Sequence, residues 1–348
     1  MLKNCEELRN SDPIISILVP VYNTSQYLDQ CLGSLVNQTF RDIEIICIND
    51  ASTDNSLSIL RKWETIDRRI KIIDSEKNLR QGGARNLGLK VARGKYIGLV
   101  DSDDFVARNM YEELISHSNS LSVDIVVGNN YCTYDGQKII ETVKNLNCRK
   151  NIDEIKRMVV LSGCRMVTNI IKKTLFYDNG LFYPEHLAYE DNAIGIPLFL
   201  SAKTILIVEN TCPFYYYRIN AMSTTKQKDN PRFFDRITTA KMMLANTERL
   251  GLYYKYKKEI DYSFYKLFYE NTLYMVWDSF NRFPTEKIRE MIKDWDTLNI
   301  NIEANPYYKG KNKYLKFIVF FAKYPCFYLP YKRTIFFLRK IFCGISIR

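Results

Sequence analysis

Three carboxylates, Asp101, Asp103 and Asp104, stand at the end of the apolar run Tyr96-Ile97-Gly98-Leu99-Val100. Like charges crowded there repel one another unless a cation or hydrogen-bond donors compensate. A hard divalent ion such as Mg2+ or Mn2+ takes oxygen ligands, keeps several water positions and can be shared with a diphosphate. It would then act as a Lewis acid on that diphosphate as a leaving group. The competing reading is an acidic strand end that caps the next helix, and Asp104 taken alone fits it equally well. A second acidic pair, Glu190-Asp191, follows Phe182-Tyr183-Pro184-Glu185-His186-Leu187-Ala188-Tyr189. A carboxylate of this kind can take a proton from a hydroxyl, or the pair can simply favour the dipole of a helix that starts there.

The elements that must position these groups follow from periodicity. Ile15–Val21, Ile43–Ile48, Ile70–Ile73, Tyr96–Val100 and a run opening at Asp124–Val127 are short, apolar and β-favouring, as strands covered on both faces should be. Between them Ser25–Asn37, Ser52–Ile66, Ala84–Ala92 and Asn109–Ser118 read as helices, with Ser25 and Ser52 or Thr53 as N-caps. Gly82-Gly83 should give the backbone freedom just before the helix near Ala84. Strand–helix alternation implies βαβ units and a mostly parallel sheet. Such sheets bind ligands at the carboxyl ends of their strands. Those ends carry Pro20-Val21-Tyr22-Asn23, Asn49-Asp50-Ala51-Ser52 and Asp101-Ser102-Asp103-Asp104. Beyond about residue 221, Phe233–Leu250, Ile260–Phe280 and Thr285–Trp295 read as aromatic helices.

In combination these motifs resemble glycosyltransferase family 2, which has the GT-A fold: α/β, Rossmann-like, a mostly parallel sheet flanked by helices, here with a helical C-terminal part. Ser16–Asn23 is similar to the family's first strand and nucleotide-facing turn. Ile48–Asp54 resembles its second-strand motif, usually Asp-Asp-Gly-Ser-x-Asp, with Asn49 and Ala51 as departures. Asn78–Gly88 looks like its glycine-containing approach to a helix, and Asp101-Ser102-Asp103 like its DxD. The resemblance covers roughly residues 14–220. It implies that Pro20, Tyr22 and Asp50 line a base pocket, with Asp50 accepting from uracil N3–H, a choice of base edge that suits an acceptor-only carboxylate. It puts Arg85 near the nucleotide's phosphate or uracil, Asp101 at the ribose or sugar, and Asp103 on the metal, Mn2+ or Mg2+. Asp191 is the implied base of an inverting transfer, and Glu190 its neighbour on the sugar or acceptor. His186 occupies a position where glycine is common. Arg218 in Phe214-Tyr215-Tyr216-Tyr217-Arg218, followed by Ser223, is implied to reach the diphosphate. Thr168-Asn169-Ile170-Ile171-Lys172 resembles an acceptor-side stretch with two typical residues replaced.

The resemblance thus implies an inverting, metal-dependent hexosyltransferase. It would move a sugar from a UDP-hexose or UDP-N-acetylhexosamine to a glycan or lipid-linked acceptor, in capsule, O-antigen or lipooligosaccharide assembly. The alternative is a non-catalytic nucleotide-sugar or carbohydrate-binding module of the same fold. A dehydrogenase is disfavoured because the turn after the first strand holds no glycine and Gly33 lies well inside the following helix, so GxGxxG is missing. With only His117 and His186 there is no evident late histidine ligand, and water and diphosphate would complete a metal's shell.

Charge distribution bears on partners. The formal net charge is +11, yet ten of the 50 basic residues follow Glu303, the last acid, leaving 40 basic against 39 acidic residues before it. A nearly neutral body argues against a nucleic-acid partner. Nine cysteines without paired spacing and an N-terminus without a signal-like apolar core point to the cytoplasm. Domain boundaries are expected at 1–13 for an extension, 14–220 for the catalytic domain (halves near 14–130 and 131–220), 221–303 for helices and 304–348 for a basic, aromatic tail. In that tail Leu315–Phe321 and Ile335–Phe342, flanked by lysine and arginine and separated by Pro325 and Pro330, are too short to span a bilayer. They should lie on the inner face of the cytoplasmic membrane, bound to anionic lipid, or pack on protein, including a second subunit.

Overall fold

The computed structural model describes residues 12–116, 122–128, 130–144, 151–208, 214–220, 227–309, 313–332 and 334. His117, Ser223 and the second tail cluster, Ile335–Phe342, lie outside them. The first half alternates β1 (Ile15–Val21), α1 (Ser25–Val36), β2 (Ile43–Asp50), α2 (Ser56–Ile66), β3 (Ile70–Ser75), α3 (Arg80–Val91) and β4 (Tyr96–Leu99). Then come β5 (Phe105–Val106), α4 (Met110–Ser116), β6 (Ile125–Gly128), β7 (Asn130–Tyr134), β8 (Ile139–Lys144), α5 (Ile152–Ser162), β9 (Asn169–Lys172), α6 (Lys173–Asp178), α7 (Glu190–Ser201), β10 (Ile205–Val208) and β11 (Tyr215–Arg218). Seven strands form one sheet in the order β10-β6-β9-β4-β1-β2-β3, and β5-β11-β7-β8 form a second. In the large sheet only β9 runs antiparallel to its neighbours, β4 and β6.

Alternation along β1 explains the layers. Ile15, Ile17, Val19 and Val21 face one core with Leu28, Cys31, Leu32 and Leu35 of α1, while Leu18 faces the other with Ala84 and Leu89 of α3 and Ile194 and Leu198 of α7. Full burial of each such side chain contributes about 1.5–3 kcal/mol. Pro20 is tolerated in this central strand because β4 pairs only with Ile15–Leu18, so the missing N–H lies beyond β4's end.

Two helix starts differ from the sequence expectation. α2 begins at Ser56, not Ser52, with Asn55 at the cap position and Asp54 just before it tying down the entry: the Ser56 amide donates to Asp54 Oδ1 at 2.9 Å, and the Ser25 amide at the start of α1 donates to Oδ2 at 3.0 Å. One aspartate thus serves two helix N-termini, and the cap positions fall on Thr24 and Asn55 rather than on Ser25 and Ser52 or Thr53. α3 begins at Arg80, four residues early, so Gly82 and Gly83 lie inside its first turn rather than before it. Their use is close approach: a Cβ on Gly82 would come within 2.3 Å of the Pro184 carbonyl oxygen and 3.1 Å of Glu190 Cγ.

The C-terminal part is helical: α8 (Asp235–Arg249), α9 (Lys257–Phe264), a π-helical turn (Tyr265–Glu270), α10 (Asn271–Ser279), α11 (Thr285–Thr297) and α12 (Lys313–Lys323). The single run expected over Ile260–Phe280 is therefore broken by a wider turn. These helices share an aromatic core around Phe264, Phe268, Trp277 and Tyr328, into which Ile196 and Leu200 of α7 also project. Ile318, Phe321 and Ala322 of α12 are buried in it, while Phe320 stays 43% exposed. No described helix is long and apolar enough to cross a membrane.

Candidate active site

The loops at the carboxyl ends of β1, β2 and β4 meet the N-termini of α3 and α7, and their backbone is contorted to do so. Asn23, Ala51, Arg80, His186 and Tyr189 all adopt left-handed φ values between 51° and 63°. Asparagine tolerates this region, but for Ala51 and His186 it costs roughly 1–2 kcal/mol each. Hydrogen bonds hold the loops together. The Asn23 amide donates to Ser52 Oγ at 3.1 Å, and the Thr53 amide to Asn23 Oδ1 at 2.8 Å.

The three carboxylates after β4 separate into different environments. Asp104 is 1% exposed; its Oδ2 accepts from the Tyr215 hydroxyl at 2.8 Å and its Oδ1 from the Arg218 amide at 2.7 Å. It therefore ties β11 under the DxD turn, a structural task, and the Asp101 amide donates to the same Tyr215 oxygen at 3.1 Å. Asp101 receives Gln81 Nε2 at 2.5 Å and Arg85 Nη2 at 2.8 Å on its Oδ1. Asp103 has the lightest compensation, with Asn220 Nδ2 donating to Oδ2 at 3.3 Å. Burial pushes the Asp103 carboxyl above its usual range, and the neighbouring Asp101 adds to this. Burial raises Asp104 further, with Asp103 and Asp101 contributing.

Arg85 organises the centre. Its guanidinium is 3% exposed, reaches Asp101 as above and donates from Nη1 to Glu190 Oε1 at 2.5 Å. It lies 5.4 Å from the Tyr183 ring centroid, and its Nε has no partner among the described residues. Burial opposes its charge, but Asp101 and Glu190 outweigh that and raise its pKa. One cation does not balance the carboxylates around it. Burial pushes Glu190 up to about 7 against the pull of Arg85, with Asp191 pushing the same way. Asp191 is raised as well, by burial first, then by Asp101, while Arg85 lowers it. Glu190 and Asp191 open α7 from the left-handed Tyr189, so Asp191 is half-buried and lines a cleft against the helical part.

The other anticipated positions surround this centre. Asp50 is buried, accepts the Leu79 amide at 2.7 Å and is raised by burial. Tyr22, just after β1, is 48% exposed, while Pro20 is buried in β1. Arg218 donates from Nε to the Asp103 carbonyl at 2.9 Å, reaches Gln30, and stacks near Tyr27, Phe105 and Tyr134 at 5.0–5.6 Å. Thr168 and Asn169 are buried at β9. Gln81, Asn220 and Tyr215, which hold the acidic turn, were not singled out for this role in the sequence, because their pairing runs between distant loops. Among the described residues no three His, Cys, Asp or Glu side chains converge on one point. One or two carboxylates completed by substrate phosphates is the donor set Mg2+ takes, and the under-compensated Asp103 suits it.

The model for glycosyl transferase family 2 matches residues 16–180. The glycosyltransferase GlyG of Streptococcus pneumoniae serotype 4 is 31% identical over 224 residues, 61% of this chain and 74% of GlyG. This chain belongs to glycosyl transferase family 2. A poly(ribitol-phosphate) beta-glucosyltransferase of Bacillus spizizenii is 32% identical over 59% of this chain but only 32% of its own length. Among solved structures, Staphylococcus aureus TarS 1–349 in complex with UDP-GlcNAc superposes with a TM-score of 0.54 at 19% identity, covering 86% of this chain and 99% of that one. The architecture is thus the GT-A fold, with a sheet half and a helical half.

Proposed function

We propose that this family 2 glycosyltransferase moves a sugar from a UDP-hexose or UDP-N-acetylhexosamine to a hydroxyl of a glycan or lipid-linked acceptor, inverting the anomeric centre. The observation that carries the reading is the Asp101–Arg85–Glu190 bridge, which links the acidic turn to the residue beside Asp191. The UDP-GlcNAc bound by TarS and the polyol-phosphate polymer named for the B. spizizenii relative support this donor and acceptor class.

In this reading Tyr22 and Asp50 flank the base, and Arg85 fixes Asp101 towards the ribose or sugar while leaving Asp103 for Mn2+ or Mg2+. When bound, the ion supplies Lewis-acid stabilisation to the departing diphosphate. Arg218 steadies the turn through the Asp103 carbonyl, and that contact puts its guanidinium where it would serve the diphosphate. Asp191 receives the proton of the acceptor hydroxyl as that oxygen attacks, a task its raised pKa suits. Glu190, clamped by Arg85, keeps Asp191 in place. NMR of the product tests the stereochemistry: an α-linked UDP-sugar should give a β-linkage, and a retained α-linkage would refute the single-base mechanism.

The outer face of the tail fits an anionic membrane surface. Phe320, Tyr324, Phe327 and Leu329 are 36–56% exposed beside Lys323. Such aromatic, basic faces rest in the lipid interface. Replacing Phe320 and Phe327 by serine should weaken cosedimentation with phosphatidylglycerol vesicles, and unchanged pelleting would exclude this surface.

A further inference from the structure

The sheet half explains the donor side, but a cleft on the other side of Asp191 has no role yet. It encloses a volume of about 130 Å³ and is open to solvent on one side. Its walls come from the end of α5 (Val160–Ser162, then Cys164), the start of α7 (Asp191, Asn192) and the π-helical turn with the first residue of α10 (Lys266, Asn271). A cleft of that size, open on one side, has room for one small polar unit of a larger ligand that continues into solvent.

Two features of the wall point to a ligand. First, the continuous run of α9 and α10 is broken into a wide π turn where it borders the cleft. Such turns forgo regular hydrogen bonding and recur at functional sites. Second, Lys266 on that turn is half-buried yet makes no ion pair with a described residue. Its ammonium lies 5.8 Å from the Tyr262 ring and within the electrostatic reach of Glu270, with no ion pair between the two. Removing an ammonium partly from water with no carboxylate in contact with it is unfavourable. An anion in the cleft would restore the balance, and the side-chain amides of Asn192 and Asn271, which make no hydrogen bond to a described residue, would add neutral donors.

We propose that this cleft is the acceptor site and that Lys266 makes it selective for acceptors bearing a phosphate or carboxylate. The proposal rests on the reading of Asp191 as the base that faces the acceptor. The acceptor's hydroxyl would lie at Asp191 and its anionic group at Lys266, so one small unit would touch both ends of the cleft. Lys266 is a specificity-determining residue in this account and takes no part in proton transfer.

Binding of matched probes tests it, using the full chain with UDP and Mn2+ present. The pairs are methyl glucuronoside against methyl glucoside, and glycerol 3-phosphate against glycerol, followed by NMR titration. In at least one pair the anion should bind about tenfold or more tightly, the usual scale for a hydrogen bond to a charged group. The favoured pair identifies carboxylate or phosphate as the group recognised. Lys266→Met and Lys266→Gln should abolish the preference and Lys266→Arg should keep it, with unfolding midpoints confirming that each variant is folded. Equal binding within both pairs, or a preference that survives in Lys266→Met and Lys266→Gln, would overturn the proposal. Nucleotide release from UDP-sugars, measured on the unmutated chain, separates the two layers. Release without an anion preference removes only the acceptor inference, whereas failure to bind or cleave any nucleotide-sugar removes the functional reading as well.

Discussion

The two halves of this molecule carry their chemistry differently. In the sheet half the reactive groups are pinned by backbone: strand ends, left-handed turns and amides that donate to Asp50, Asp54 and Asp104. In the helical half, side chains on aromatic-packed helices line a cleft, and a π turn interrupts the helices where they border it. A backbone-built site demands particular residues at particular offsets, whereas a helix-built wall accepts many side chains. The first suits a donor nucleotide shared across a family, and the second suits an acceptor that varies.

Perturbing the junction between the halves should have the largest effect. Asp191→Asn should lower turnover by about 10² or more, the scale of losing a general base, while leaving donor binding intact. Rapid-quench turnover together with UDP-sugar titration checks this, and parallel loss of donor binding would place Asp191 in the donor half instead.

Next is the pH response of the metal-free protein. Folded Glu190 keeps its proton up to about 7, whereas an unfolded glutamate releases it near 4.3. The folded state therefore binds more protons between those values, and stability should fall as pH rises through that window. For one proton the slope is at most about 1.4 kcal/mol per pH unit. Urea unfolding at several pH values should show this decline, and Glu190→Gln should make it shallower. A slope unchanged by the substitution would mean that Arg85 keeps Glu190 ionised throughout.

The smallest effect is a gain. Ala51 holds φ 58° in the turn after β2. Ala51→Gly removes about 1–2 kcal/mol of strain and adds about 0.5–1 kcal/mol of backbone entropy cost. A net stabilisation of about 0.5–1 kcal/mol in urea is expected, and destabilisation would show that the alanine methyl packs usefully.

Much of the sheet half was legible from sequence because its pattern is dense. β1 was readable to the residue, and the acidic turn marked the end of β4. Its two departures at family glycine positions, Ala51 and His186, are both left-handed, so the backbone there kept its shape when the glycine was replaced. What sequence did not reveal was pairing across loops. Asp54 reaches the start of α1, Asp104 anchors β11, and Arg85 spends its charge on Asp101 and Glu190, relations separated by 16 to 114 residues. The short strands of the second sheet were also missed, since β5 has only two residues and too little pattern to read. In the helical half periodicity located the helices, but the π turn that bares Lys266 leaves no mark in an apolar, aromatic run.

The central claim is that the acidic turn serves a metal-dependent nucleotide-sugar transfer. A panel of UDP-sugars, incubated with candidate glycan acceptors and assayed for free UDP with Mn2+, with Mg2+ and with excess EDTA, tests it most directly. The account predicts that at least one UDP-sugar releases UDP only when metal is present, and that Asp103→Asn loses this release. Full release in EDTA, or undiminished release by Asp103→Asn, would contradict it.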